Sequence, residues 1–329
     1  MKYSVFVTRD IPDEGLKILA QNDQLDVRVY EHDKKISREE LLSEMPNTDI
    51  LLSILTEKID AEVMDAAKGR LKMIANYAVG FDNIDIPAAK ERGIIITNAP
   101  NEKISESVAE HTIALILALA HRIVETDTFT RAGKYESWGP KLLLGTDIAG
   151  KTVGIIGTGA IGSMVVKKLH LGFGMKVVYN DIKPNEALEK EVGATFMEKD
   201  ELLKVADVVS LHVPLLPATH HLISEHELSL MKPTAFIINT SRGPIIDEKA
   251  LLMALQNKKI GGAGLDVYEC EPLIDCDPTD TLELRTFPNV VLTPHTASAT
   301  EGTRQAMSRV AAQNIVAFVG GIKPPNKLN

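Results

Sequence analysis

Three side chains in the last third of the chain, Arg242, Glu271 and His295, are types that do chemistry together, and each follows a β-like apolar run. The runs 208–212, 235–239, 262–266 and 290–293 lead into His212-Val213-Pro214, Thr240-Ser241-Arg242-Gly243, Asp266 to Glu271, and Pro294-His295 to Ser298. Open parallel sheets bind ligands beyond the carboxyl ends of their strands, so these segments are expected to converge. A guanidinium, carboxylates and an imidazole together suit hydride transfer to a 2-oxo acid. The alkoxide left by hydride addition must gain a proton, and histidine is the side chain best matched to giving one near neutral pH. A neighbouring carboxylate orients the ring and favours its imidazolium form, and either Asp266 or Glu271 could fill that place. An arginine fork pairs with a substrate carboxylate in a way lysine cannot copy. It also polarises the keto group as negative charge develops.

The hydride needs a carrier, and the strongest local motif supplies one. Gly157-x-Gly159-x-x-Gly162 closes the apolar run 152–156 and opens a helical segment, 163–171, which is the context a dinucleotide fingerprint requires. Gly157 permits the tight turn, Gly159 lets the backbone approach a pyrophosphate, and Gly162 lets helix and strand pack closely. Amides at the helix start, from Ala160 and Ile161, are expected to face the phosphates. Asp181 stands 19 residues after Gly162 at the end of the run 176–180. A carboxylate there accepts from the adenosine ribose hydroxyls and repels a 2′-phosphate, so NADH is expected to be preferred over NADPH.

Elements able to position these residues alternate along the whole chain. Strand-like runs at 4–8, 27–30, 50–54, 73–76 and 94–97 form a first series, separated by helical segments such as 14–21 and 61–68. The runs from 152 to 293 form a second, several of them continuous Val/Ile stretches typical of strands covered on both faces. The expectation is an α/β protein of two doubly wound, Rossmann-like domains with a cleft between them. Residues 1–100 plus 299–329 would form a flavodoxin-like substrate domain, and 101–298 the NAD domain. Ser107 and Glu110 read as a capping box that starts a helix, apolar on nearly every face through 113–120. The segment 299–319 has helical spacing and ends at Gly320-Gly321, from where it could return to the first domain.

Composition narrows the classes. With 36 basic and 45 acidic residues, a net charge of −9, the chain lacks the cationic surface of a nucleic-acid binder. The start carries Lys2 and is charged again at Arg9, too soon for a signal peptide, and the longest apolar run is far short of the ~20 residues that span a bilayer. Only Cys270 and Cys276 occur, so a disulfide scaffold is excluded and a reducing cytoplasm is expected; the carboxylates beside Cys270 disfavour a thiolate.

Separated motifs carry a resemblance over nearly the full length. They are Val79-Gly80-Phe81-Asp82-Asn83, Ser107 to His111, the glycine fingerprint, Ser210-Leu211-His212-Val213-Pro214, Asn239 to Gly243, Gly264 to Glu271, and Thr293-Pro294-His295. In this order the chain resembles the D-isomer-specific 2-hydroxyacid dehydrogenases. The resemblance implies Arg242 as substrate binder, His295 as acid/base and Glu271 as its carboxylate, with Asp266 holding the nicotinamide carboxamide. It implies that backbone groups of Val79 and Gly80 clamp the substrate carboxylate, with Ser298 also at the substrate. His212, Val213, Pro214, Thr240, Ser241 and Ala297 match coenzyme-lining positions; Ala297 stands where the family usually has glycine. The stretches 138–145 and 298–314 look most like the glyoxylate and hydroxypyruvate reductases, which implies a homodimer in which Trp138 reaches a neighbouring subunit's pocket.

Other readings of the same pattern are a D-3-phosphoglycerate dehydrogenase-like enzyme, a phosphite dehydrogenase-like enzyme, or a dinucleotide-sensing transcriptional corepressor of the same fold. Val79 counts against the second, where a lysine is usual. The remaining histidines have plainer expectations: His220, His221 and His226 solvated, His111 and His121 at caps or interfaces, and no metal. The acids of 275–280 read as a solvated loop, without Ca²⁺-loop spacing.

Overall fold

The computed structural model describes residues 2–271 and 283–329. The chain divides into two compact units, Met1–Ile104 with Ala299–Asn329, and Ser105–Ser298. The division falls in the first turns of the helix Glu102–Ala120.

In the first unit, β1 (Tyr3–Val7), β2 (Leu25–Val29), β3 (Ile50–Ser53), β4 (Met73–Asn76) and β5 (Ile95–Thr97) form a parallel sheet in the order β2-β1-β3-β4-β5. β3 and β4 are buried at every position, as strands covered by helices on both faces must be. The C-terminal helix Glu301–Val319, capped by Thr300, belongs to this unit. It lies against the helix Asp13–Ala20 so closely that a Cβ on Gly15 would stand 2.4 Å from the Ser308 carbonyl oxygen. Gly15 N donates to Ser308 Oγ (3.1 Å), and Arg309 pairs with Glu14 (2.6 Å), fixing the register of the two helices.

In the second unit, seven parallel strands run β12-β11-β10-β9-β6-β7-β8. They are β6 (Thr152–Ile156), β7 (Lys176–Asn180), β8 (Thr195–Phe196), β9 (Val208–Leu211), β10 (Phe236–Asn239), β11 (Gly262–Leu265) and β12 (Val290–Leu292). Successive residues enter opposite cores: Ile237 belongs to the cluster that holds Leu202, Leu211 and Leu251, and Ile238 to the one that holds Ile116, Val153 and Val165. The order reverses between β6 and β9, and a crevice at such a switch point is where doubly wound sheets take dinucleotides.

Two readings of the sequence need correction. The edge strand β8 was not anticipated, because two residues carry no periodicity. The helix expected to start at a Ser107–Glu110 capping box starts at Glu102 instead, with Asn101 Oδ1 accepting from Ile104 N (3.1 Å). Ser107 is therefore inside the helix, and its hydroxyl donates to the Ala297 carbonyl (2.7 Å).

Candidate active site

His295 sits three residues past β12 with φ +54°, a left-handed backbone that a non-glycine residue adopts only when its surroundings hold it there. Its amide donates to the Asp266 carbonyl (2.8 Å), and its ring Nδ1 is hydrogen-bonded to Glu271 Oε1. The other Glu271 oxygen accepts from Tyr268 N (3.3 Å), so the carboxylate bridges its own loop and the imidazole. With Nδ1 taken by the carboxylate, Nε2 is the ring nitrogen left to exchange a proton with a ligand. Glu271, rather than Asp266, is the partner of His295.

Asp266 has a different task. It is fully buried, and its carboxylate accepts from Thr293 Oγ1 (2.6 Å), Thr296 N (2.8 Å) and Ala297 N (2.8 Å). His111 Nε2 approaches it at 3.4 Å and also meets Thr293 Oγ1 at 3.0 Å. Burial pushes the Asp266 carboxyl up, but the hydrogen bonds from His111, Thr293, Thr296 and Ala297 outweigh it and hold the group below its ordinary value. Asp266, expected to line the coenzyme, has no exposed surface here and anchors the loop that carries His295. His111, expected at a cap or interface, is part of that anchor. Its sequence signal was its place directly after Glu110 in a quoted motif.

Arg242 follows β10 in extended backbone, with Nη1 donating to the Ser241 carbonyl (2.8 Å). Asn239 Nδ2 donates to the Arg242 carbonyl (2.8 Å), which ties the turn to the strand. The next residue must be glycine, since a Cβ on Gly243 would lie 1.7 Å from the Tyr268 carbonyl oxygen. That close approach sets the Arg242 turn against the loop that carries Glu271. Thr240 is buried and shares a hydrogen bond with Thr112 (3.0 Å), and Ser241 Oγ donates to the Leu211 carbonyl (2.8 Å). Tyr268, whose hydroxyl donates to the Thr293 carbonyl (2.8 Å), links the strand end before His295 to the same loop. Burial, aided by the charges of Asp266 and Glu271, pushes its phenol up to about 12.

At the switch point, Gly157 (φ +94°) turns the chain over the His212 carbonyl, which a Cβ would meet at 2.6 Å. Gly162 approaches the Gly157 carbonyl so closely that a Cβ would stand 2.0 Å from it. A Cβ on Gly159 would meet nothing within 4 Å. Packing therefore explains two glycines, and the third fits a ligand brought against the backbone. The helix Ala160–Phe173 begins at Gly159 with no side-chain cap, which leaves the first-turn amides of Ala160 and Ile161 suited to a pyrophosphate. Asp181, beyond β7, accepts from Thr158 N and Thr158 Oγ1. His212 Nε2 meets Ser210 Oγ (2.9 Å), while its Nδ1 is buried without a partner among the described residues; burial lowers the ring to about 4, so it is neutral at physiological pH. Val213 is half-buried and Pro214 exposed beside it. These features fit a dinucleotide.

In the first unit, the turn after β4 is held by amide side chains. Asn76 Nδ2 donates to the Gly80 carbonyl and Asn83 Oδ1 (both 3.0 Å), and Asn98 Nδ2 to the Val79 carbonyl (2.7 Å). Val79 is exposed and Gly80 half-buried, and Ser298, the last residue of the second unit, is half-buried.

Residues 113–297 match the model of the D-isomer specific 2-hydroxyacid dehydrogenase NAD-binding domain, more than half of the chain. The chain belongs to the D-isomer-specific 2-hydroxyacid dehydrogenases. It is 45% identical to a glyoxylate reductase of Thermococcus onnurineus, covering 100% of this chain and 96% of that one. Among solved structures it is similar to the TT0316 protein of Thermus thermophilus, with 42% identity, a TM-score of 0.89, and 99% and 100% of the two chains covered. It is also similar to a D-lactate dehydrogenase of Aquifex aeolicus complexed with NAD and lactic acid, with 33% identity, a TM-score of 0.83, and 97% and 96% covered. The second unit is accordingly an NAD-binding domain, and the protein an oxidoreductase that acts on a small 2-hydroxy or 2-oxo acid.

Several plainer expectations for this dehydrogenase change. His221 is not merely solvated: Nε2 pairs with Glu269 Oε1 at 2.7 Å, and Glu269 Oε2 accepts from Glu248 N (3.2 Å) beside the site. His226 pairs with Asp200 (3.1 Å), and with Glu227 these form a potential metal-ligating group, which the sequence reading did not foresee. Glu227 in that group is already bonded to Lys199 (2.6 Å) and Ser224. Cys270 is buried. Cys276 and the acidic run 275–280 lie outside the described residues. Among the described residues no single helix is long and apolar enough to cross a membrane.

Proposed function

We propose that this dehydrogenase reduces glyoxylate, with hydroxypyruvate as a second substrate, using NADH in preference to NADPH. The observation that carries the reading is the His295 imidazole, bound at Nδ1 by Glu271 and held on a strained backbone by the buried Asp266. When bound, the nicotinamide supplies or receives the hydride. The protein's own residues do the rest. The Arg242 guanidinium pairs with the substrate carboxylate and draws electron density from the keto oxygen, aided by the backbone amides of Val79 and Gly80. His295 gives the proton at Nε2 to the carbonyl oxygen as it becomes the alcohol oxygen, and Glu271 stabilises the imidazolium before transfer. Gly157, Gly159, Ala160, Ile161 and Gly162 take the pyrophosphate, and Asp181 the adenosine ribose. His212, Val213, Pro214, Thr240, Ser241 and Ala297 line the remainder, and Ser298 completes the substrate side. Residues 1–100 with 299–329 act as the substrate domain and 101–298 as the coenzyme domain.

A small substrate is supported by the 45% identity to a glyoxylate reductase over the full chain. Turnover of glyoxylate, hydroxypyruvate, pyruvate and phosphohydroxypyruvate with each reduced coenzyme tests the reading, with kcat/KM expected to be highest for glyoxylate and NADH. A preference for phosphohydroxypyruvate, or negligible turnover throughout, would overturn it. Arg242→Lys should raise KM for the oxo acid by about 100-fold while changing NADH affinity about twofold. The reverse pattern would place Arg242 at the coenzyme.

The same proposal includes a cytoplasmic homodimer with no nucleic-acid or membrane partner. Ile123, Val124, Tyr135, Trp138, Leu142 and Leu144 are all exposed in one stretch, Trp138 to 79%. Such a run of large apolar side chains supports burial against a second copy, with Trp138 entering the neighbour's substrate pocket. Sedimentation should give a dimer, and Trp138→Ala should raise KM for the oxo acid; an unaffected KM would remove Trp138 from that pocket.

A further inference from the structure

Thr158, the residue between the first two fingerprint glycines, holds Asp181 by two bonds to a single oxygen. Its amide and its hydroxyl both donate to Asp181 Oδ2 at 2.7 Å, while Asp181 Oδ1 accepts from Ile182 N (2.7 Å). Thr158 is itself fixed. It is 7% exposed, and its carbonyl accepts from Ser163 Oγ (2.7 Å) on the fingerprint helix and from Asn185 Nδ2 (3.3 Å). Asn185 caps the helix Glu186–Val192 through Leu188 N (3.3 Å), and its own amide donates to the Tyr179 hydroxyl (2.7 Å). The glycine loop and the segment after β7 are thus one hydrogen-bonded unit, with the Thr158 hydroxyl at its centre.

We propose that Thr158 is a specificity-determining positioning residue, clamping the Asp181 carboxylate where it accepts a ribose hydroxyl and opposes a 2′-phosphate. The inference rests on the NADH reading above and deepens it. A carboxylate offers about four acceptor directions, and three are filled here, two on Oδ2 and one on Oδ1. Oδ1 keeps the remaining capacity, in a geometry fixed before coenzyme arrives, so ribose binding requires little further ordering. Burial raises the Asp181 carboxyl, but the bonds from Thr158 and Ile182 hold it below the ordinary value, and the negative charge is retained across the physiological range. Without the hydroxyl bond, Oδ2 keeps only the Thr158 amide, and the carboxylate is held less firmly in its ribose-accepting orientation. Lys183, whose charge acts on Asp181, then becomes available to a 2′-phosphate.

The test uses the full enzyme without substrate, titrated with NADH and with NADPH by coenzyme fluorescence. Thr158→Val keeps the shape and removes the donor, and the ratio of the NADPH to the NADH Kd should fall by about tenfold. Thr158→Ser restores the donor and should keep the ratio within about twofold of the parent. If valine perturbs the loop, Thr158→Ala provides the same deletion without added bulk. Asp181→Ala is measured beside them and should abolish the preference. An unchanged ratio in the valine and alanine variants, with a collapsed ratio in Asp181→Ala, overturns the role of Thr158 and leaves the NADH reading standing. Equal loss of both coenzymes in the Thr158 variants assigns the hydroxyl to the loop fold alone and also overturns it. An unchanged ratio in Asp181→Ala brings down the NADH reading and this inference together.

Discussion

Two aspartates of the NAD-binding unit use the same device at opposite ends of the site. Asp181 accepts an amide and a threonine hydroxyl from the glycine loop, and Asp266 accepts two amides and a threonine hydroxyl from the His295 loop. Burial separates their tasks. Asp181 is half-buried and keeps acceptor capacity for a ligand, whereas Asp266 has no exposed surface and spends its charge on the protein. A buried charge must be matched by several donors, and those donors become rigid in turn. The same carboxylate keeps acceptor capacity at one end and serves as a scaffold at the other.

The scaffold role predicts the largest effects. His295→Ala removes the proton donor and should lower kcat by about 10³-fold while NADH affinity changes about twofold or less. A variant with full turnover would end the acid/base assignment. Asp266→Asn should lower both kcat, by about 100-fold, and the unfolding free energy of the coenzyme-free protein, by about 3 kcal/mol, since an amide cannot satisfy the same set of donors. Asp181→Asn should cost about 1 kcal/mol or less in the same denaturant titration. Equal stability losses at the two aspartates would break the comparison, and a large NADH defect in Asp266→Asn would place that residue at the coenzyme as well.

Smaller effects sharpen the glycine-loop side. Gly162→Ala forces a methyl against the Gly157 carbonyl and should destabilise the protein by about 2–3 kcal/mol. Gly159→Ala should leave stability within about 0.5 kcal/mol and weaken NADH binding about tenfold, because its methyl projects where nothing in the protein stands. Calorimetry paired with fluorescence titration separates the two. The acid limb of stability provides the finest test. His212 titrates near 4 in the fold against about 6.5 unfolded, so its neutral form stabilises fully above about pH 6.5 and the contribution is lost as pH falls through 4. Between pH 7 and pH 4, His212→Gln should lose about 3 kcal/mol less stability than the parent in urea melts. Parallel losses would mean that the ring protonates freely in the fold.

Much of this arrangement was legible in the residues. Continuous Val/Ile runs marked β6, β7, β9 and β10 because strands covered on both faces need apolar side chains at every position. The fingerprint was readable because its turn and its close helix approach exclude a Cβ at fixed spacing. Arg242, Glu271 and His295 were legible by type and by their place after strands. The Ser107–Glu110 pattern misled because a serine inside a helix and a serine at its cap look alike locally. The hydroxyl was taken by Ala297, 190 residues away.

The sequence by itself determined the elements, the strand ends that gather chemical groups, and the glycine turn, since each follows from local sterics and short-range periodicity. The family resemblance already pointed to Glu271 as the partner of His295; only the tertiary structure set His111 against Asp266 and joined Thr158 to Asp181. Those outcomes depend on which donors surround a carboxylate and how much water is excluded from it. Burial and hydrogen-bond supply are set by segments distant in the chain, so no local pattern encodes them.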